Sequence, residues 1–244
     1  MAKKAPAIMM CENMFCGGCG HSLFDRILGE VLTEMDICQD TIVCSDIGCN
    51  HMFQFSMNVD VVVPPHGKMG AAMAAMKRVR PDKYIFTIAG DGGAYAIGLG
   101  ETMSAAIRNE NVAFFVMNNG LFAMTGGQMA PTTIPGQKTA STPYGRNFED
   151  HGATIDVVKT MGGLDIAYLA RCTITNPKEI NKTKKYIKKA LEKQRDKQGF
   201  CLVEVLVPCP TNWGLKPVDA MKRIEEELVP KYPLGEFIDK KEEK

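Results

Sequence analysis

The sequence predicts an α/β protein built on a doubly wound, mostly parallel sheet. Short apolar runs of strand length alternate with amphipathic stretches of helical period along the chain. Glycine or proline turns follow the carboxyl ends of several of these runs, which is where open parallel sheets collect ligands. No low-complexity linker or internal repeat interrupts the 244 residues. Residues 1–244 therefore read as one domain with an amino-terminal C-x-x-C segment and a carboxyl-terminal extension.

Taken in order, Cys16-x-x-Cys19 forms a turn that feeds a helix over residues 22–33, where Leu23, Ile27, Leu28 and Val31 or Leu32 recur at helical spacing. Residues 41–45 form a strand that ends in the turn at Gly48-Cys49. Residues 67–79 are small and Met-rich with helical character, and Ala71, Ala74 and Ala75 allow close packing. A short buried strand over 84–89, a helix over 101–108 and a strand over 112–117 follow. Later strands over 166–174 and 201–207 are separated by a lysine-rich helix over 177–198, with Ile180, Ile187 and Leu191 on one face. Its lysines read as a solvated surface over the sheet. The tail, with Lys240, Lys241, Glu242, Glu243 and Lys244, is expected to be frayed.

Composition narrows the function. A net charge of +1 argues against nucleic acid as a partner, because phosphate-backbone binding normally leaves a clear basic excess. No apolar run reaches the length of a membrane span, and the lysines near the amino terminus are not followed by an apolar signal core. A cytoplasmic location is expected. Nine cysteines is many for such a protein, and the odd number argues against a complete disulfide framework. Metal binding or redox chemistry is the natural expectation.

Residues 90–133 carry the most information. Gly90-Asp91-Gly92-Gly93 lies at the carboxyl end of one strand, and the next strand delivers Asn118 and Asn119. The glycines let backbone approach a phosphate. Asp91 is a hard oxygen ligand of the kind Mg²⁺ takes together with substrate phosphate oxygens. A GDG element followed at this distance by a paired polar-Asn sequence resembles the diphosphate-binding fingerprint of thiamine diphosphate enzymes. The segment running from Asn119 through Met124-Thr-Gly-Gly-Gln-Met-Ala-Pro-Thr-Thr133 is similar to the MTGGQ-x-SPTT segment of the thiamine-binding β subunits of 2-oxoacid:ferredoxin oxidoreductases. Nearly the whole chain follows that pattern. The resemblance implies the thiamine diphosphate-binding fold, with Gly90, Asp91, Gly92, Gly93, Asn119, Leu121 and Thr125 at the cofactor. Asp91 and Asn119 would bind Mg²⁺ through side-chain oxygens and Leu121 through its carbonyl.

The cysteines sort by context. Cys16, Cys19, Cys49 and Cys209 each lie beside a Gly or Pro turn, which exposes sulfur towards a common centre, as a thiolate-held 4Fe-4S cluster requires. Cys172 and Cys201 sit in apolar strand-like runs, and Cys11 and Cys38 lack a glycine-turn context. The same β subunits carry a CxxCG element, a later Gly-Cys and a late Cys-Pro-Thr that bind such a cluster, and these match Cys16, Cys19, Cys49 and Cys209. Cys44 is an alternative to Cys49. Zinc is the chemical alternative to iron, with His21 or His51 able to replace one sulfur.

The family's HGR-like loop corresponds to His66-Gly67-Lys68, which makes His66 and Lys68 the candidate catalytic groups, with Lys in place of the more usual Arg. His151 is assigned no role. The implied reaction is oxidative decarboxylation of a 2-oxoacid to its acyl-coenzyme A, with electrons passing through the cluster to ferredoxin. Trp213 is a candidate for lining the substrate pocket or for anchoring the core. The late segments Cys209-Pro-Thr-Asn-Trp213 and Tyr232-Pro-Leu-Gly-Glu-Phe237 resemble the branches acting on 2-ketoisovalerate or 2-oxoglutarate more than the pyruvate branch, with 2-ketoisovalerate favoured and 2-oxoglutarate next. The glutamate that activates thiamine has no counterpart here, since Glu101 and Glu110 lie inside the diphosphate unit. An α subunit with a pyrimidine-binding domain and a γ subunit that binds coenzyme A are the implied partners. Ferredoxin docking on the lysine-rich helix is a further option. A non-oxidative thiamine enzyme and a zinc-stabilised scaffold are the competing classes.

Overall fold

The computed structural model describes residues 5–11 and 14–241, so Glu242, Glu243 and Lys244 of the expected frayed tail lie outside the described residues. The strands in chain order are β1 (Thr41–Ser45), β2 (Asp60–Val62), β3 (Tyr84–Gly90), β4 (Ala113–Asn118), β5 (Leu121–Phe122), β6 (Gln128–Met129), β7 (Tyr168–Thr173), β8 (Cys201–Leu206) and β9 (Gly235–Asp239). Seven of them form one sheet in the order β2-β1-β3-β4-β8-β7-β9. Every pairing is parallel except that of β9, which runs antiparallel to β7 along the edge. β5 and β6 form a separate two-stranded ribbon.

The helices are α1 (Gly20–Glu34), α2 (Met69–Val79), α3 (Leu99–Ile107), α4 (Phe148–His151), α5 (Val157–Met161), α6 (Pro177–Arg195), α7 (Pro210–Trp213), α8 (Pro217–Arg223) and α9 (Val229–Lys231). Among the described residues no helix is long and apolar enough to cross a membrane. The doubly wound architecture follows from period-two alternation along the strands. Phe86, Ile88, Phe115 and Met117 face a core shared with Phe24, Leu28 and Val31 of α1 and Ile187 and Leu191 of α6. Their neighbours Ile85, Phe114 and Val116 face the other core, with Met69 and Met73 of α2, Ala105 and Ala106 of α3, and Met161 of α5.

The predicted strands and helices are present within a few residues. β2 has only three residues and no apolar period, and β9 depends on pairing with the distant β7, so neither is visible locally. α6 starts where Asn176 caps it, the side chain accepting the Glu179 N–H at 3.1 Å with Pro177 behind it. Three of its lysines are tied inward rather than free in solvent: Lys184 to Glu30 and Glu34 of α1, and Lys189 and Lys193 to Asp239 of β9. Trp213 packs with Ile134, Leu206 and Ile224 in a small third core, its ring covered by Arg223.

Two contacts fix the cysteine-bearing segments to one another. The Gly20 N–H at the start of α1 donates to the Pro208 carbonyl at 3.2 Å, and a methyl at Gly20 would sit 2.6 Å from the Val207 side chain. Asp25, buried in α1, accepts from the Ser56 hydroxyl at 2.7 Å, which ties α1 to the 49–55 turn that begins at Cys49. Burial pushes the Asp25 carboxyl up to about 7. The unfolded chain therefore ionises this group near pH 4 while the folded chain keeps its proton to about pH 7, so stability falls as pH rises through that window. Asp25→Asn should match the wild type at pH 4 and exceed it at pH 8, by up to about 4 kcal/mol, in anaerobic chemical denaturation. An equal stability gap at both pH values would show that folding leaves the carboxyl's pKa unshifted.

Candidate active site

β1, β3, β4 and β8 are neighbours, so the residues that follow them meet along one edge of the sheet. β3 runs into Asp91, β4 into Asn119, β1 into Asp46 and then Cys49, and β8 into Pro208-Cys209. A cavity of about 90 Å³ lies at this edge, lined by Asp91, Asn119, Leu121, Thr125, His66 and the glycines Gly90, Gly92 and Gly93. Glycine is required by contact at two of these positions. A methyl at Gly92 would enter the Phe122 ring, and one at Gly93 would strike the Asp46 carboxylate.

Asp91 is fully buried. Its Oδ2 accepts from the Thr132 hydroxyl, whereas Oδ1 has no partner within the protein. Burial pushes its pKa up to about 7. An orphaned buried carboxylate oxygen is costly, and a hard cation in the cavity would supply what it lacks. Asn119 lies beside it, its Oδ1 accepting from the Leu121 N–H at 3.0 Å and shaping the turn. Asn118 holds that turn from below, accepting from Gly120 N–H at 3.1 Å and donating to Glu204 at 3.0 Å. Leu121 lines the cavity, and Thr125 stands at its exposed mouth with its hydroxyl donating to Gln128 at 2.6 Å.

Asp46 is missing from the sequence candidates although, like Asp91, it is an acidic residue directly after a strand. Its Oδ1 accepts from His66 Nδ1 at 2.9 Å and from the Gly67 N–H at 3.0 Å, and Oδ2 is buried without a partner. Desolvation raises its pKa. His66 is thereby oriented into the cavity wall. Lys68 is placed differently from His66: it stands at the start of α2, half exposed and paired with Glu101, and is not among the residues that line the cavity.

A second cavity, of about 450 Å³, brings Cys16, Cys19, Cys49 and Cys209 together. It shares His21, Cys49, Asn119, Ala123 and Met124 with the first. Burial, reinforced by the other thiols, pushes Cys19 up to about 12 and Cys49 up to about 11. Cys209 is also raised, chiefly by burial. These thiols hold protons at neutral pH, so a metal must displace protons to bind. The four cysteines line a cavity wall, and among the described residues no three His, Cys, Asp or Glu groups are grouped so as to hold one metal ion. His21 Nδ1 lies 3.4 Å from Cys19 Sγ, and Asn212 Nδ2 donates to Cys209 Sγ at 3.5 Å.

Cys44 is buried with its thiol towards the Met69 carbonyl, in the core beneath α2 and outside the second cavity. Cys172 and Cys201 are buried in their strands, as their apolar context predicts. His51 pairs with Gln54 and does not line the cysteine cavity.

Residues 46–205 match the family of thiamine pyrophosphate enzymes, C-terminal TPP binding domain, TPP being another name for thiamine diphosphate. A ketoisovalerate oxidoreductase subunit VorA of Methanothermobacter thermautotrophicus is 35% identical over 230 residues, covering 94% of this chain and 48% of that protein. The chain thus spans about half the length of that relative. A 2-oxoglutarate synthase subunit KorB of Methanocaldococcus jannaschii is 32% identical, covering 93% of this chain and 87% of that protein. A solved 2-oxoglutarate:ferredoxin oxidoreductase from Magnetococcus marinus, with 2-oxoglutarate, coenzyme A and succinyl-CoA bound, shares the fold. The two superpose with a TM-score of 0.76 at 22% identity, covering 99% of this chain and 87% of that one. The strand-end geometry and these likenesses agree, and the chain belongs to the thiamine pyrophosphate enzyme family, in the group of 2-oxoacid oxidoreductase subunits.

Proposed function

We propose that the chain is the thiamine diphosphate-binding β subunit of a 2-oxoacid:ferredoxin oxidoreductase, working in the cytoplasm. The observation that carries this reading is the shared wall between two cavities, one holding the orphaned Asp91 oxygen and the other four cysteine thiols. Asp91 and Asn119 side-chain oxygens and the Leu121 carbonyl would hold Mg²⁺, while Gly90, Gly92 and Gly93 admit the diphosphate and Thr125 closes the mouth. Cys16, Cys19, Cys49 and Cys209 would hold a 4Fe-4S cluster, and the open spacing of a cavity wall fits a multi-atom cluster better than one zinc ion. When bound, the thiazolium ring supplies an electron sink for decarboxylation and the cluster a one-electron acceptor.

The chain's own residues bind, orient and exclude water. Asp46 holds the proton of His66 at Nδ1, which leaves Nε2 to face a substrate. Lys68 would reach a substrate carboxylate only by leaving Glu101, so it is the weaker of the two candidate catalytic groups. The favoured substrate is 2-ketoisovalerate, with 2-oxoglutarate next, in line with the names of the two relatives. Coenzyme A as co-substrate, an α subunit with the pyrimidine-binding domain, a γ subunit and ferredoxin complete the proposed reaction.

Asp91→Asn keeps the shape and the Thr132 bond but removes an anionic ligand. Mg²⁺-dependent thiamine diphosphate binding by the co-expressed complex, measured by titration calorimetry, should weaken about tenfold or more. Because the empty carboxyl takes up a proton below about pH 7, wild-type affinity should also fall from about pH 8 to about pH 5, and more steeply than in the variant, where only the diphosphate's own titration remains. Unchanged affinity in Asp91→Asn would remove Asp91 from the metal site.

Anaerobic iron, acid-labile sulfide and zinc determinations test the second cavity. The complex should hold about four irons and four sulfides attributable to this chain, lost on replacing Cys16, Cys19, Cys49 or Cys209 singly by Ser and kept in Cys44→Ser. Zinc in their place, or no metal, would leave a thiamine-binding subunit without the electron-transfer function.

A further inference from the structure

Arg171 of β7 lines neither cavity and is 1% exposed, yet two arms of contacts run from its guanidinium, one to the turn that carries Asn119 and the other to the Asp91 carboxylate. In the first arm Nε donates to Glu204 of β8, which is itself 1% exposed. Glu204 Oε1 accepts from Asn118 Nδ2 at 3.0 Å, and Asn118 Oδ1 accepts from the Gly120 N–H, closing the turn that presents Asn119. In the second arm the guanidinium lies over the Tyr232 ring, 5.1 Å from its centroid. The Tyr232 hydroxyl donates to the Thr132 carbonyl at 2.7 Å, and the Thr132 hydroxyl donates to Asp91 Oδ2. Asp156 completes the pairing, its Oδ1 accepting from Nη2 at 2.6 Å.

Buried ion pairs contribute little net stability, because desolvation offsets much of their attraction. A fully hydrogen-bonded network does fix geometry. We propose that Arg171, acting through Glu204 and Tyr232, is the positioning residue that sets Asp91 and Asn119 at their mutual spacing for the Mg²⁺-diphosphate. This rests on the assignment of Asp91 and Asn119 made under Proposed function. The arms start at β7 and pass through Glu204 of β8 and through Tyr232, none of which lines the cavity that holds Asp91 and Asn119.

Tyr232→Phe removes one hydroxyl and keeps the ring beneath the guanidinium, and Glu204→Gln keeps the side-chain shape. In the co-expressed complex each should weaken thiamine diphosphate binding about two- to tenfold by calorimetry. Each should also raise the Mg²⁺ concentration needed for half-saturation. Ile187→Val, a core substitution under α6, serves as the control: it should lower thermal stability and leave both binding quantities unchanged. Wild-type binding in both Tyr232→Phe and Glu204→Gln would overturn this inference alone. A wild-type complex that shows no Mg²⁺-dependent binding would overturn both the inference and the assignment on which it rests.

Discussion

Parallel pairing of β1, β3, β4 and β8 sets four carboxyl ends side by side, and each group proposed to hold metal or diphosphate hangs from that row or is fastened to it. Asp46, Asp91, Asn119 and Cys209 each follow the last residues of a different strand. The amino-terminal Cys16 and Cys19 join them because α1 begins at Gly20, whose missing side chain lets the helix start against Val207 and Pro208. Any change that separates these strands would scatter both cavities together.

The site is assembled at a cost to stability. Asp91 and Asp46 each bury an oxygen without a partner, and the partly buried Cys19 and Cys49 thiols, pushed up by desolvation, keep their protons until a metal displaces them. These are the features expected where a cation and a metal cluster bind to the folded state, since a ligand that satisfies them stabilises that state by mass action. The glycines serve the same end sterically. Gly92 and Gly93 leave room for the Phe122 ring and the Asp46 carboxylate to pack directly against the glycines that line the first cavity.

How much was legible in the sequence follows from how local each signal is. The placement of Asp91 and Asn119 at strand ends could be read because the strands before them are unbroken apolar runs, and the four cysteines stood out because each sits at a Gly or Pro turn, while the ligand roles proposed for them come from the family resemblance. Those signals need no knowledge of distant chain. Asp46 carried the same acidic-after-strand signal as Asp91 but lacked a flanking glycine run. Arg171 and Glu204 are charged residues within otherwise apolar strand runs, and their meaning depends on the pairing of β7 with β8, which no local pattern specifies. Lys68 follows a recognisable loop, but its pairing with Glu101 comes from the later packing of α2 against α3. The lysines of α6 are similar: charge spacing suggested a solvated face, and only the placement of α1 and β9 shows which of them are engaged.

Anomalous diffraction at the iron edge, from anaerobic crystals of the full complex soaked with Mg²⁺ and thiamine diphosphate, would examine both cavities at once. The proposed architecture requires iron scattering enclosed by Cys16, Cys19, Cys49 and Cys209, with the diphosphate held at Asp91 and Asn119 across the wall formed by Cys49, Ala123 and Met124. Zinc in the cysteine cavity, iron elsewhere in the chain, or a diphosphate seated away from Asp91 would contradict it.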